Sequence, residues 1–389
     1  MQALVFERKL ARYAAAAVAS RVVPGIGGGV GPLQLRDIDP PEVPGPGWCI
    51  IRPRLTGICG SDLATVEGRS SRYFEPLVSF PFVPGHEVVG IDEDGNRMAL
   101  EPVLGAAARG EPLPFAGAAP GDGDDYGYLL GGAIEDGIQI GFCSSTGGGW
   151  GEELVAHQSQ LHAVPQDFSD EAAVMLEPAA GGIHAALKAR VEPGASVVVL
   201  GAGTMGLCSV AALRAMTSAG TIIVTAKYPH QRHLATELGA DMVVDPGEVR
   251  RAVRRFCGCR MLGNHLSAGV DITIDAVGSP SSVADALAIT RPRGRVVLLG
   301  MPEASRVDLT GLWHRETELV GAYTYGTETL PDGRTATSFE LAFDLVASAG
   351  LEQLVSARYP LNRYREAITH AAEAGPRGAT KVVFEQFPL

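Results

Sequence analysis

The sequence predicts an α/β protein of two domains, one built from short β-strands and the other doubly wound around a parallel sheet. Three observations carry this. The first half sets short apolar runs, such as Cys49–Leu55 and Val88–Ile91, between Gly and Pro punctuation. From Ala195 the runs become continuously apolar and alternate with helix-length segments, the pattern of a parallel sheet covered on both faces. The length, 389 residues, is enough for two separate cores. The expected division gives residues 1–180 and 327–389 to the first domain and 181–326 to the second.

Taken in order, Met1–Phe6 reads as a strand and Leu33–Arg36 as its hairpin partner. Between them Ala11–Gly31 is an insert, with an Ala-rich half suited to a short helix and a Gly-rich half suited to a loop. It either overhangs the active site or, as the simpler reading, is an idle surface excursion. Cys49–Leu55 leads into Thr56-Gly57-Ile58-Cys59-Gly60-Ser61-Asp62, and Phe82–Gly90 runs through Pro84-Gly85-His86-Glu87 into another strand. Residues 105–141 form a Gly-, Ala- and Pro-rich lobe without cysteine, after which Gly148–Glu153 leads back to the strands. In the second domain Ser196–Leu200, Thr221–Thr225, Met242–Val244, Asp271–Asp275 and Gly294–Leu299 are strands, with helices at Met205–Met216 and Gln231–Leu238.

Hydrophobic residues at 46% and charged residues at 20% are those of an ordinary globular chain. A net charge of −12 argues against nucleic acid or an anionic membrane as partner. The six cysteines (Cys49, Cys59, Cys143, Cys208, Cys257 and Cys259) suggest no disulfide framework, which fits a reducing cytoplasm. Ala14–Ser20 looks like the end of a signal peptide, but Glu7, Arg8, Lys9 and Arg12 crowd its front. No apolar run reaches the ~18 residues that span a bilayer. A cytoplasmic location is expected.

Gly201-Ala202-Gly203-Thr204-Met205-Gly206 follows an apolar strand and opens a helix, the context that makes a dinucleotide fingerprint credible. Gly201 permits the tight turn, Gly203 lets backbone approach a pyrophosphate, and Gly206 allows close packing. The N–H groups around Thr204 and Met205 then face the phosphates. Where a carboxylate would hold the ribose 2′-hydroxyl stands Ala226-Lys227, with Arg232 following. Two cations and no repelling acid favour NADP over NAD; the plainer alternative is that Lys227 and Arg232 are solvated charges. Upstream, Cys59, His86, Glu87 and Glu177 offer the thiolate, imidazole and carboxylates that zinc accepts. The pair Cys257 and Cys259, with no third donor nearby, makes a poor metal site.

These motifs, in this order from about Leu33 to the C-terminus, resemble the zinc-dependent medium-chain alcohol dehydrogenases of polyol and threonine dehydrogenase type. The resemblance implies a GroES-like barrel domain, a Rossmann domain, a small-molecule alcohol or carbonyl substrate, and a homo-oligomer. It also implies one catalytic zinc on Cys59, His86 and Glu177, with Glu87 as a fourth ligand or exchanging with water. Asp62 would orient His86, and Ser61 would take the substrate proton while zinc acts as Lewis acid. Two departures stand out. Relatives often pass that proton to a His five residues after the Cys, where this chain has Ala64. Relatives also carry four lobe cysteines around a structural zinc; with only Cys143 nearby, no structural zinc is expected and the lobe is held by packing or is mobile.

Two other readings are a zinc-free reductase of quinones or conjugated double bonds, against which Cys59, His86 and Glu177 argue, and a non-catalytic nucleotide-binding redox sensor. Tyr73, Phe74 and Trp150 are aromatic candidates for a pocket, whereas His157, His162, His184 and His370 read as structural.

Overall fold

The computed structural model describes residues 1–386. The chain forms two units, one of Met1–Glu177 with the chain from Gly350 onward, the other of Pro178–Ala349. It opens with β1 (Gln2–Phe6), passes through α1 (Leu10–Ala19) and α2 (Gly27–Val30), and returns antiparallel to β1 as β2 (Leu33–Asp37). The insert departs from its expected character. Its Gly-rich half is a helical turn rather than a loop, and Gly27 and Gly28 are buried. A Cβ on Gly27 would collide with the Val66 carbonyl, and one on Gly28 would crowd the Ile368 side chain at 3.2 Å. The Gly25 N–H donates to the buried Glu67 carboxylate at 2.7 Å. Glycine serves here for close backbone approach, so the insert is tied down rather than idle.

β3 (Trp48–Gly57) feeds α3 (Gly60–Val66), and β4 (Val88–Ile91), β5 (Arg97–Leu100), β6 (Leu154–His157) and β7 (Leu161–Ala163) follow. Val88, Val89, Leu154, Val155 and Ala156 are all buried. Between β5 and β6 lies the lobe. Its centre is Arg109, which is 2% exposed. Its guanidinium donates to the carbonyls of Leu104 (3.2 Å), Gly131 (2.6 Å), Glu135 (3.4 Å) and Gly137 (2.7 Å). The lobe is therefore held by a buried hydrogen-bonded cation as well as by packing of Leu104, Ala108, Ile134 and Ile140.

α4 (Asp170–Val174) is capped by the Ser169 hydroxyl, and the units divide within α5 (Leu176–Lys188). The second unit is a six-stranded sheet in which parallel strands follow the order β10-β9-β8-β13-β14-β15. Its elements are β8 (Ser196–Leu200), α6 (Thr204–Met216), β9 (Thr221–Thr225), α7 (Pro229–Glu237) and β10 (Met242–Val244). Next come α8 (Val249–Phe256), the small hairpin of β11 (Met261–Leu262) and β12 (His265–Leu266), then β13 (Val270–Asp275) and α9 (Pro280–Ile289). β14 (Thr290–Leu298), α10 (Thr310–Arg315) and β15 (Glu318–Gly321) complete the sheet. α7 starts earlier than expected because Pro229 suits the first helical turn.

The second boundary lies between Ala349 and Gly350, later than the 327 expected. The hairpin of β16 (Thr327–Thr329) and β17 (Thr335–Thr337) brings Glu328 to His184 Nδ1 at 2.5 Å, and Ser338, the first residue of α11 (Ser338–Ala349), donates to the same oxygen at 2.7 Å. His184 is thus a structural clasp. The chain then returns as β18 (Val355–Pro360), α12 (Tyr364–Ala372) and β19 (Lys381–Glu385), closing a sheet of order β18-β19-β3-β4-β5-β7, with β6 on the other end of β3. The two halves are a GroES-like domain and a Rossmann domain. No helix among the described residues is long and apolar enough to cross a membrane.

Candidate metal centre and dinucleotide site

Cys59 sits where β3 gives way to α3, as the N-cap residue of that helix. Its N–H donates to Asp62 Oδ2 at 3.0 Å, which fixes the turn. His86 and Glu87 arrive just before β4 and are buried. Gly57 is a glycine by necessity, because a Cβ there would overlap the Glu87 carboxylate. Donor atoms of Cys59, His86 and Glu87 all lie within 4.8 Å of one another, the one such cluster among the described residues.

Around this trio the polar groups are unequally satisfied. His86 Nδ1 stands 3.4 Å from Asp62 Oδ1, and both atoms are buried without a hydrogen bond. Asp62 is thereby placed to hold one ring nitrogen, leaving Nε2 as the nitrogen a metal would use. Burial alone would lower the His86 pKa. The Asp62 carboxylate and then the Cys59 sulfur outweigh it and lift the value well above 6.5. A thiol, an imidazole and a carboxylate converging in a buried pocket make a donor set that suits a zinc ion.

Lys381 was not among the expected site residues. It is 3% exposed and its Nζ lies 2.6 Å from each oxygen of Glu87. Burial disfavours the ammonium, but the charges of Glu87, Cys59 and Glu177 overcome this and raise its pKa. Glu87 is thus engaged by a cation through both oxygens, which would compete with a metal for the same carboxylate. Glu177, in the first turn of α5, lies outside the cluster of three but close enough for its charge to act on Lys381. The one hint in the sequence is a lysine opening the apolar run Val382-Val383-Phe384.

Ser61 lies in α3, half-buried, and Ala64 one turn on is buried with no proton-carrying group. Of the aromatic candidates, Tyr73 is exposed and Phe74 packs edge-on against it. Trp150 is a correction: it is fully buried, packs against Phe384, and donates to the Gly57 carbonyl at 3.5 Å, so it supports β3 from within the core. Asp62→Asn, whose side-chain oxygen can still accept from the Cys59 N–H, is expected to weaken zinc affinity by about 10–100-fold, measured by competition with a chromophoric chelator.

In the second unit Gly201 has φ +95°, and a Cβ on Gly206 would collide with the Gly201 carbonyl. Gly203 is the N-cap of α6, and no side chain caps that end. The N–H groups of Thr204 and Met205 therefore lie in an uncapped first turn, as an anion site requires. At the end of β9, Ala226 is buried and Lys227 exposed, with its ammonium 5.5 Å from the Tyr228 ring centre. Arg232 is 3.6 Å from Asp245, which offsets part of its charge.

Residues 45–166 match the alcohol dehydrogenase GroES-like domain, and residues 204–353 match the zinc-binding dehydrogenase domain. Sorbitol dehydrogenase of Bacillus subtilis (strain 168) is 28% identical over 354 residues, covering 88% of this chain and 89% of the relative. Sorbitol dehydrogenase of Homo sapiens is 28% identical over 360 residues, covering 87% and 89%. Among solved structures, zinc-dependent alcohol dehydrogenase 2 from Streptococcus pneumonia superposes with a TM-score of 0.72 at 23% identity, covering 100% of this chain and 99% of that one.

Proposed function

The chain belongs to the zinc-dependent medium-chain alcohol dehydrogenase family and is an NAD(P)-dependent oxidoreductase, and from that premise we propose that it interconverts a polyol and its carbonyl form with NADP. The observation that carries the zinc reading is the convergence of donor atoms of Cys59, His86 and Glu87 within 4.8 Å of one another. Cys59, His86 and Glu177 would hold one catalytic zinc, and Glu87, held by Lys381, is the candidate fourth carboxylate. When bound, zinc supplies Lewis-acid polarisation of the substrate oxygen and the nicotinamide supplies or accepts hydride. Asp62 orients the His86 ring. The Ser61 hydroxyl takes the substrate proton and, with Ala64 in place of a relay imidazole, hands it to water. The N–H groups of the first turn of α6 bind the pyrophosphate, and Lys227, helped by Arg232, binds the 2′-phosphate.

The polyol assignment is supported by sorbitol dehydrogenases being among the relatives. The preference for NADP rests on Lys227 standing where a carboxylate would exclude a 2′-phosphate. A reducing cytoplasmic location is supported by all six cysteines being free thiols.

One set of measurements tests this reading. Protein purified without added metal is expected to hold about one zinc per chain, and Cys59→Ala to lose both zinc and turnover. Lys227→Ala is expected to lower kcat/KM for NADP by about tenfold and leave NAD unaffected, the share of one charged contact. Full activity in Cys59→Ala would overturn the zinc reading, and a native preference for NAD would overturn the cofactor reading.

A further inference from the structure

β1 and β2 pair with Phe6 opposite Leu33, a register that a turn of two residues could join, yet residues 7–32 stand between them. Part of that extra chain packs between α12 and the C-terminal end of α3, all within the first unit. Gly27 lies so near Val66, the last residue of α3, that a Cβ on it would stand 2.4 Å from the Val66 carbonyl oxygen. The Gly25 N–H donates to one oxygen of the buried Glu67 carboxylate, and Arg69 donates to the other through Nε (3.0 Å) and Nη2 (2.6 Å). A Cβ on Gly68 would meet the Tyr13 carbonyl at 2.6 Å, and the Tyr13 hydroxyl donates to the Ser70 carbonyl at 3.4 Å.

α3 needs such support, because at seven residues it is too short to hold its shape alone. Its last carbonyls are taken by the chain that follows. The N–H of Glu67 donates to Leu63 (2.9 Å), that of Gly68 to Thr65 (3.2 Å) and that of Arg69 to Ala64 (2.7 Å). Glu67 and Gly68 are the residues on which the insert closes. A further link reaches back towards Cys59. The Thr65 hydroxyl donates to the Ser61 carbonyl at 2.9 Å and, with its one proton so used, accepts from the Ser70 hydroxyl at 2.9 Å. Contacts therefore run without a break from Tyr13, Gly25 and Gly27 in the insert, through Glu67–Ser70 and Thr65, to the backbone of Ser61.

We propose that the insert is a positioning element for the reaction: it fixes the seat of α3 and with it the place of the Ser61 hydroxyl at the substrate oxygen. The inference rests on the reading of Ser61 as the group that takes the substrate proton. With Ala64 in the next turn, only water stands behind that hydroxyl, so its own helix must hold it within hydrogen-bond reach of the proton. Gly27 and Thr65 act through α3, as positioning residues.

Gly27→Ala drives a methyl against the Val66 carbonyl, and restoring an ordinary contact parts the insert from α3 by about 1 Å. Gly29→Ala is the control, because a Cβ on Gly29, in the same helical turn, meets nothing within 4 Å. The full-length, zinc-loaded enzyme is assayed with sorbitol and NADP. Gly27→Ala is expected to lower kcat by about 10–100-fold, with KM for NADP within about twofold of wild type, about one zinc per chain and a larger solvent deuterium isotope effect. Gly29→Ala is expected to match wild type. Amide exchange, read on metal-free protein without substrate, is expected to quicken across residues 63–70 in Gly27→Ala alone. Thr65→Val removes the hydroxyl at nearly constant volume and is expected to lower kcat by about tenfold, with Thr65→Ser recovering it; this pair decides the matter if Gly27→Ala does not fold. Adding Gly27→Ala to Ser61→Ala is expected to cost less than about twofold more, as for two changes that act on one group. A wild-type kcat in Gly27→Ala or Thr65→Val, an equal loss in Gly29→Ala, unchanged exchange, or a loss that follows departed zinc would each overturn the positioning role while Ser61→Ala still loses turnover. A wild-type kcat in Ser61→Ala would instead overturn the proton reading, and this inference with it.

Discussion

Lys381→Met is expected to destabilise the first unit by about 3–5 kcal/mol, the cost of leaving a buried carboxylate without its cation. Glu87 is 0% exposed and both of its oxygens rest on Lys381. Methionine has similar reach and no charge, so the packing beside β3 is preserved and the loss isolates the ion pair. Chemical denaturation of chelator-stripped protein reads the effect directly. The double variant Lys381→Met/Glu87→Gln is expected to recover much of the loss, because the amide no longer needs a counter-charge. A single variant as stable as wild type would mean that water or another cation reaches Glu87. The same variants in zinc-loaded protein bear on whether Glu87 binds the metal. A smaller loss with zinc present would place Glu87 on the metal once Lys381 is gone, whereas an equal loss would leave Glu87 as a carboxylate beside the metal that does not bind it.

This residue also marks the limit of what the sequence discloses. The Cys59 turn, the His86-Glu87 pair and the Gly201–Gly206 fingerprint are local patterns, and each sits on the strand end or helix start that its neighbours imply. Lys381 and Glu87 are 294 positions apart, and nothing near either one announces the other. The second unit runs on to Ala349, beyond the expected 327, and the clasp between His184 and Glu328 that belongs to this stretch spans 144 positions. Glycine misled in another way. In the insert its sequence suits a flexible loop, yet at Gly27 the Val66 carbonyl leaves no room for a side chain and at Gly28 the Ile368 side chain crowds one. Trp150 could line a pocket or fill a core on sequence alone, because large rings serve both purposes, and only its burial against Phe384 decides between them.

The lobe gives the second large expected effect. Arg109→Met is expected to loosen residues 110–133 and to cost about 2–4 kcal/mol, because it strands several buried carbonyls at about 1–3 kcal/mol each, partly relieved by water entry. Four carbonyls converge on this one guanidinium from three separate stretches of the lobe, at Leu104, at Gly131 and at Glu135 with Gly137. A planar fork with five donors can satisfy such a set, whereas the three donors of a lysine radiate from a single point. Arg109→Lys is therefore expected to fail in the same direction. Limited proteolysis should cut the variants within Gly110–Gly132 under conditions that leave wild type whole, and amide exchange should quicken at Ile138 and Ile140. Zinc content should stay at about one per chain, since Cys59, His86 and Glu87 lie on other elements of the first unit. Protection unchanged in Arg109→Met would show that the apolar packing of Leu104, Ile134 and Ile140 is sufficient to hold the lobe. A fall in zinc from about two to one would instead reveal a second metal in the lobe, and with it a role for Arg109 beside that metal rather than in place of one.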